Sequence, residues 1–164
     1  MDTQCSYNPE IMQQCIDLAR STMCAGKGGP FGAAVVKDNR IISIASNSVL
    51  SDNDPTAHAE INAIRQACAH LHTADLTGCE LYATGAPCPM CMGAIMWSNI
   101  KTVYVGGNVS DAEAIGFRDN AMYKFIENFC SDPSVVEIHY SGESCQHAVQ
   151  QLYAEYAELN GIVY

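Results

Sequence analysis

Thr56-Ala57-His58-Ala59-Glu60 and Pro87-Cys88-Pro89-Met90-Cys91 are the two stretches around which the 164-residue chain reads. The first brings an imidazole and a carboxylate two residues apart. The second brings two thiols three residues apart. Together they offer His, Cys and Cys, donors of the kind zinc takes, with one carboxylate left over. A closed structural zinc site needs a fourth strong protein ligand, and none has evident spacing here. A catalytic site instead keeps its fourth position for water, which ionises near neutral pH when bound to the metal. Glu60 then has a role that binding does not need: moving protons between that water and a substrate. The expected cofactor is one Zn2+ per chain on His58, Cys88 and Cys91.

Each half of this reading has a plainer alternative when taken alone. His58 by itself suits a capping or core histidine. Cys88 and Cys91 at the start of a helix feel the positive end of its dipole, which favours thiolate. That prepares a CxxC pair for metal, and equally for thiol–disulfide exchange. The second motif is what weakens the plain reading of the first.

Working outward, a helix is expected to open at Pro55 or Thr56 and run to about His70, with Ile61, Ile64, Ala67, Cys68 and Leu71 on its buried face. His58 and Glu60 fall in its first turn, about 200° apart around the axis, so their side chains are expected to diverge. Upstream lies the polar segment Ser46 to Pro55. Asn47 opens it where a strand ends, a place that suits a turn former and also a ligand contact. Phe31 to Lys37 and Arg40 to Ala45 are β-rich runs joined by Asp38-Asn39, a two-residue hairpin signal. Before them, Asn8 caps and Pro9 opens a helix with Ile11, Met12, Cys15, Ile16, Ala19 and Met23 in one stripe. It stops at Gly26-Lys27-Gly28-Gly29-Pro30, a connector that also lets backbone approach a ligand.

Downstream, Glu80 to Thr84 and Thr102 to Val105 read as strands on either side of the CxxC helix, which continues through Trp97. Asp111 to Asp119 is polar and acidic. A short helix is expected over Met122 to Phe129, a last strand over Val135 to Tyr140, and a last helix over Gln146 to Leu159. The apolar tail Gly161-Ile162-Val163-Tyr164 is expected to dock on something. Helices and strands alternate through the middle, which indicates an α/β sandwich in a single domain over residues 1–164.

Composition narrows the partners. The net charge is −10, with eight Lys and Arg against 18 acids. Holding a polynucleotide requires neutralising phosphates with cations, so a small substrate is expected and nucleic acid is not. No apolar run reaches the roughly 18 residues of a membrane span. Nine cysteines, an odd number, and an N-terminus without a secretory pattern point to a reducing cytoplasm.

The chain resembles the cytidine-deaminase-like superfamily of zinc deaminases, and its middle looks like the bacterial guanine deaminases among them. The stretches that carry the likeness are Gly29-Pro30-Phe31-Gly32-Ala33, Asn53 to Glu60, Ala63-Ile64-Arg65 and Pro87 to Ile95, and it extends over about residues 8 to 126. The resemblance implies a three-layer α/β/α sandwich with a central five-stranded mixed sheet. It implies zinc on His58, Cys88 and Cys91, with Glu60 as proton shuttle. It implies that Asn47 hydrogen-bonds the base, that Phe31 stacks near it, that Asp111 meets the displaced amino group, and that Ala59 and Trp97 also contact substrate. Homodimers are usual in such proteins, and the C-terminal tail often closes the site. The expected reaction is hydrolytic deamination of a free base, guanine first. Other aminopurines, pyrimidines, aminotriazines or a tRNA adenosine are the alternatives. Similar proteins carry Glu-Pro before the first cysteine, where this chain has Ala86-Pro87; the change spares every zinc ligand and touches substrate identity. From another enzyme class, a thiol–disulfide oxidoreductase through Cys88 and Cys91 accounts for the CxxC helix but leaves His58 and Glu60 unexplained.

Overall fold

The structure, a computed structural model, describes residues 7–159. It divides into two compact units, Met1–Tyr123 and Lys124–Tyr164.

The first unit is built on a four-stranded mixed sheet. β1 (Gly32–Lys37) and β2 (Arg40–Ser46) form an antiparallel hairpin. Asp38 and Asn39 turn it with φ of 49° and 58°, the left-handed pair that matches strand twist and that Asn and Asp tolerate. β3 (Glu80–Ala83) lies antiparallel to β1, and β4 (Thr102–Val105) parallel to β3, giving the order β2-β1-β3-β4. Along β1 the side chains alternate between faces. Ala33 and Val35 pack under α3 (Ala59–Leu71) and α4 (Pro89–Trp97), whereas Ala34 and Val36 pack under α1 (Pro9–Cys24). Helices on both faces make the strands continuously apolar and the unit three-layered. Val35 and Leu81 are fully buried, each contributing about 1.5–3 kcal/mol of apolar burial. α1 passes so near the sheet that a Cβ on Gly32 would run into the Cys15 carbonyl.

Two short helices were not foreseen: α2 (Val49–Asp52) and α5 (Val109–Ala114). α3 starts later than expected. The Asp54 carboxylate takes both the N–H and the hydroxyl of Thr56, a local side-chain turn that competes with helix. His58 is therefore the N-cap residue, in extended conformation, and Ala59 begins the helix.

Among the described residues the sheet has four strands and not the expected five. Val135–Tyr140, the expected last strand, forms none. A strand needs a ladder partner for its backbone groups, and the second unit has no strand among its described residues. Val135, Val136 and Ile138 all stay more than half exposed. α6 (Asp119–Glu127) runs across the unit boundary, and α7 (Glu143–Glu158) has no buried residue. The apolar tail over residues 161–164 lies outside the described residues. Among the described residues, no helix is long and apolar enough to cross a membrane.

Candidate active site

The two motifs meet where α3 and α4 begin side by side. Cys88, like His58, is an N-cap residue in extended conformation, and Pro89 opens its helix. Both caps thus turn their side chains toward the gap between the helix starts. His58 Nδ1 lies 3.6 Å from the Sγ of Cys88 and 3.6 Å from that of Cys91, and the two sulfurs are 3.6 Å apart. Tetrahedral zinc, at about 2.3 Å from sulfur and about 2.0–2.1 Å from nitrogen, sets S···S near 3.8 Å and S···N near 3.6 Å. The triangle fits that metal without rearrangement. Its donors also form the group of potential metal ligands found among the described residues.

The electrostatics suit a dication. Proximity of Cys91, and then of His58, brings the Cys88 thiol down to about 4 against the cost of its burial. The neighbouring Cys88 sulfur and burial push Cys91 up, because a second thiolate would sit against the first. Contact with Cys88 raises His58, while burial opposes the rise. Without a metal, a second thiolate beside the first is disfavoured; a bound cation favours both thiolates.

Glu60 is buried in the first turn of α3. Because His58 stands outside the helix, helical spacing does not set their relative direction. Burial raises the Glu60 carboxyl, and both Cys91 and His58 are close enough to act on it. It stands beside the ligand triangle without belonging to it.

A cavity of about 420 Å³ opens in front of His58, with Gly28, Gly29, Asn47, Phe117 and Asp119 in its wall, a size that suits a small molecule. Asn47 is buried and tightly held. Its N–H donates to the Phe31 carbonyl at 2.9 Å. Its Oδ1 accepts from the N–H groups of Gly29 at 3.1 Å and Val49 at 3.2 Å. Asn62 pins the flanks by donating to the Ser46 carbonyl and the Ser48 hydroxyl. The Asn47 Nδ2 has no partner among the described residues.

The other expected contacts stand elsewhere. Phe31 is set behind Phe117 in an edge-to-face pair, centroids 4.8 Å apart, and it is Phe117 that lines the cavity. Ala59 is buried at the start of α3 and outside the wall. Trp97 ends α4 and is 67% exposed. Asp111 is occupied as a helix cap: its Oδ2 accepts the Asn108 N–H at 2.7 Å. The acid that reaches the cavity is Asp119, whose carboxyl is raised by burial and by the nearby Cys88. The sequence reading missed Asp119 and Phe117, which lie in a polar stretch without periodicity; their only signal was closeness to Asp111.

Residues 6–107 match the family model described as the cytidine and deoxycytidylate deaminase zinc-binding region. The chain is 47% identical over 117 residues to the guanine deaminase of Bacillus subtilis, covering 71% of this chain and 75% of that one. The X-ray structure of guanine deaminase from Bacillus subtilis matches with a TM-score of 0.80 at 37% identity, over 91% of this chain and 95% of that one. The tRNA-specific adenosine deaminase of Aquifex aeolicus is 54% identical over 74 residues, 45% of this chain and 49% of that one. The model's span contains the whole ligand triangle, Glu60 and Asn47, and the chain belongs to the cytidine and deoxycytidylate deaminase zinc-binding family.

Proposed function

We propose that the protein converts guanine to xanthine and ammonia by hydrolytic deamination. The observation that carries guanine is the state of Asn47. A free asparagine amide pairs with adenine by giving one hydrogen bond and taking another. Here Oδ1 is already bonded twice by backbone N–H groups, so only the donor end faces a ligand. That end suits the O6 and N7 edge of guanine, which offers acceptors alone. C2 and its amino group lie across the ring from this edge, toward His58 and Glu60. The likeness to a guanine deaminase supports the same choice.

Zinc on His58, Cys88 and Cys91 would supply a Lewis acid that makes water a nucleophile near neutral pH. Glu60, held beside the triangle and partly desolvated, takes the proton from the attacking water. It delivers that proton to the ring nitrogen, then carries the second proton from the hydroxyl added at C2 to the departing amine, which leaves as ammonia. Asp119, and not Asp111, faces the displaced amino group and accepts a hydrogen bond from it. Phe117, braced by Phe31, flanks the base. The shape of the cavity and its donor at Asn47 orient the ring so that C2 meets the water.

The enzyme is expected to act in the cytoplasm, in purine metabolism, as a homodimer. The eight described cysteines are free, and Met92, Met96 and Trp97 leave an apolar face of α4 exposed. Ammonia release should be measured over guanine, adenine, cytosine, an aminotriazine and a tRNA bearing a wobble adenosine. Guanine should be turned over fastest. Faster conversion of the tRNA adenosine, in line with the Aquifex relative, would replace this reading.

A further inference from the structure

Asp119 and Tyr123 are four residues apart on α6 and so share one face of that helix. The Tyr123 hydroxyl donates to the Pro87 carbonyl at 2.6 Å, across 36 positions of sequence. Pro87 immediately precedes Cys88, at the turn that presents the ligand. α6 has no fully buried residue, so core packing alone does not fix it. Asn120 ties it to Glu113 of α5, and Tyr123 ties it to the metal turn. Burial raises the Tyr123 phenol, with Cys88 and Asp119 adding to the effect; the hydroxyl keeps its proton and remains a donor.

We infer that Tyr123 is a positioning residue for the reaction: its hydrogen bond to the Pro87 carbonyl holds Asp119, one turn earlier on α6, at the cavity wall beside His58 and Cys88. The inference rests on the role proposed above for Asp119. It assigns Tyr123 no contact with substrate. Its effect on turnover therefore passes through Asp119, and this sets it apart from a tyrosine that only stabilises the fold.

The test is a double-mutant cycle on zinc-loaded protein, with Tyr123→Phe, Asp119→Asn and the pair, using whichever base the panel above shows to be turned over fastest. Tyr123→Phe keeps the ring and removes only the donor. A misplacement on the ångström scale costs up to about 100-fold in rate, so kcat should fall about 10- to 100-fold. KM should stay within about twofold, and zinc per chain and melting temperature should stay near wild type. Asp119→Asn should lose at least as much. Adding Tyr123→Phe to it should change kcat by no more than about twofold, because residues acting as one unit are not additive. Losses that multiply in the pair, an unchanged kcat in Tyr123→Phe, or a loss accompanied by lost zinc or lost cooperative melting would each overturn the inference. Full activity in Asp119→Asn would overturn both it and the role of Asp119. A damaged Asp119→Asn beside a normal Tyr123→Phe would overturn the inference and leave the role of Asp119 standing.

Discussion

At His58 a backbone in extended conformation just before a helix decides where an imidazole points. The sequence spacing gave the donors, since His, Cys and Cys in two short motifs have few other chemical uses together. It did not single out the acid at the cavity wall. Asp111 and Asp119 belong to one polar stretch, and only the tertiary structure shows that the first caps α5 while the second reaches the cavity. Glu60 carries a further consequence of its site. Burial raises its carboxyl in the folded metal-free protein, whereas in the unfolded chain it titrates as an ordinary glutamate. A raised folded value means that stability is fully present at low pH and is lost as pH climbs through that value. Glu60→Gln is neutral throughout and escapes the loss. Chelator-stripped wild type and Glu60→Gln should thus have similar denaturation midpoints at about pH 4, and the variant should be the more stable at about pH 7.5. Equal midpoints at both pH values would show that Glu60 carries no burial penalty.

At the scale of elements, the long regular pieces were readable and the short ones were not. α1 and the β1–β2 hairpin follow from an apolar stripe, a Pro at the helix start and the Asp38-Asn39 turn. α2 and α5, of four and six residues, are too short to show helical periodicity. The spacing of Asn108 and Asp111 was a readable cap for α5. The missing fifth strand teaches the opposite lesson: Val135–Tyr140 has strand composition, but composition supplies no partner for its backbone. The loop before β1 has a strict requirement at Gly28. A Cβ there would overlap the Oδ1 and carbonyl of Asn47, so Gly28→Ala must displace the residue proposed to read the base. KM for guanine should rise about tenfold or more, as expected for about 1.4 kcal/mol or more of lost binding, while zinc content is unchanged. A wild-type KM in Gly28→Ala would show that the position of Asn47 does not set recognition.

Over the whole molecule, the surplus of acids is consistent with a small uncharged base and against a phosphate backbone. α4 serves twice: its N-terminus presents Cys88 and Cys91, while Met92, Met96 and Trp97 leave its outer face apolar and exposed. In the proposed mechanism three residues hold the metal and a fourth, Glu60, moves the proton. Zinc per chain and xanthine formation from guanine, measured on one preparation each of wild type and Glu60→Gln, test it most directly. A positioned acid–base group is worth roughly 10²–10⁴-fold in rate. The variant should keep about one zinc per chain and lose turnover by at least about that factor. Undiminished xanthine formation by a zinc-loaded Glu60→Gln would contradict the mechanism.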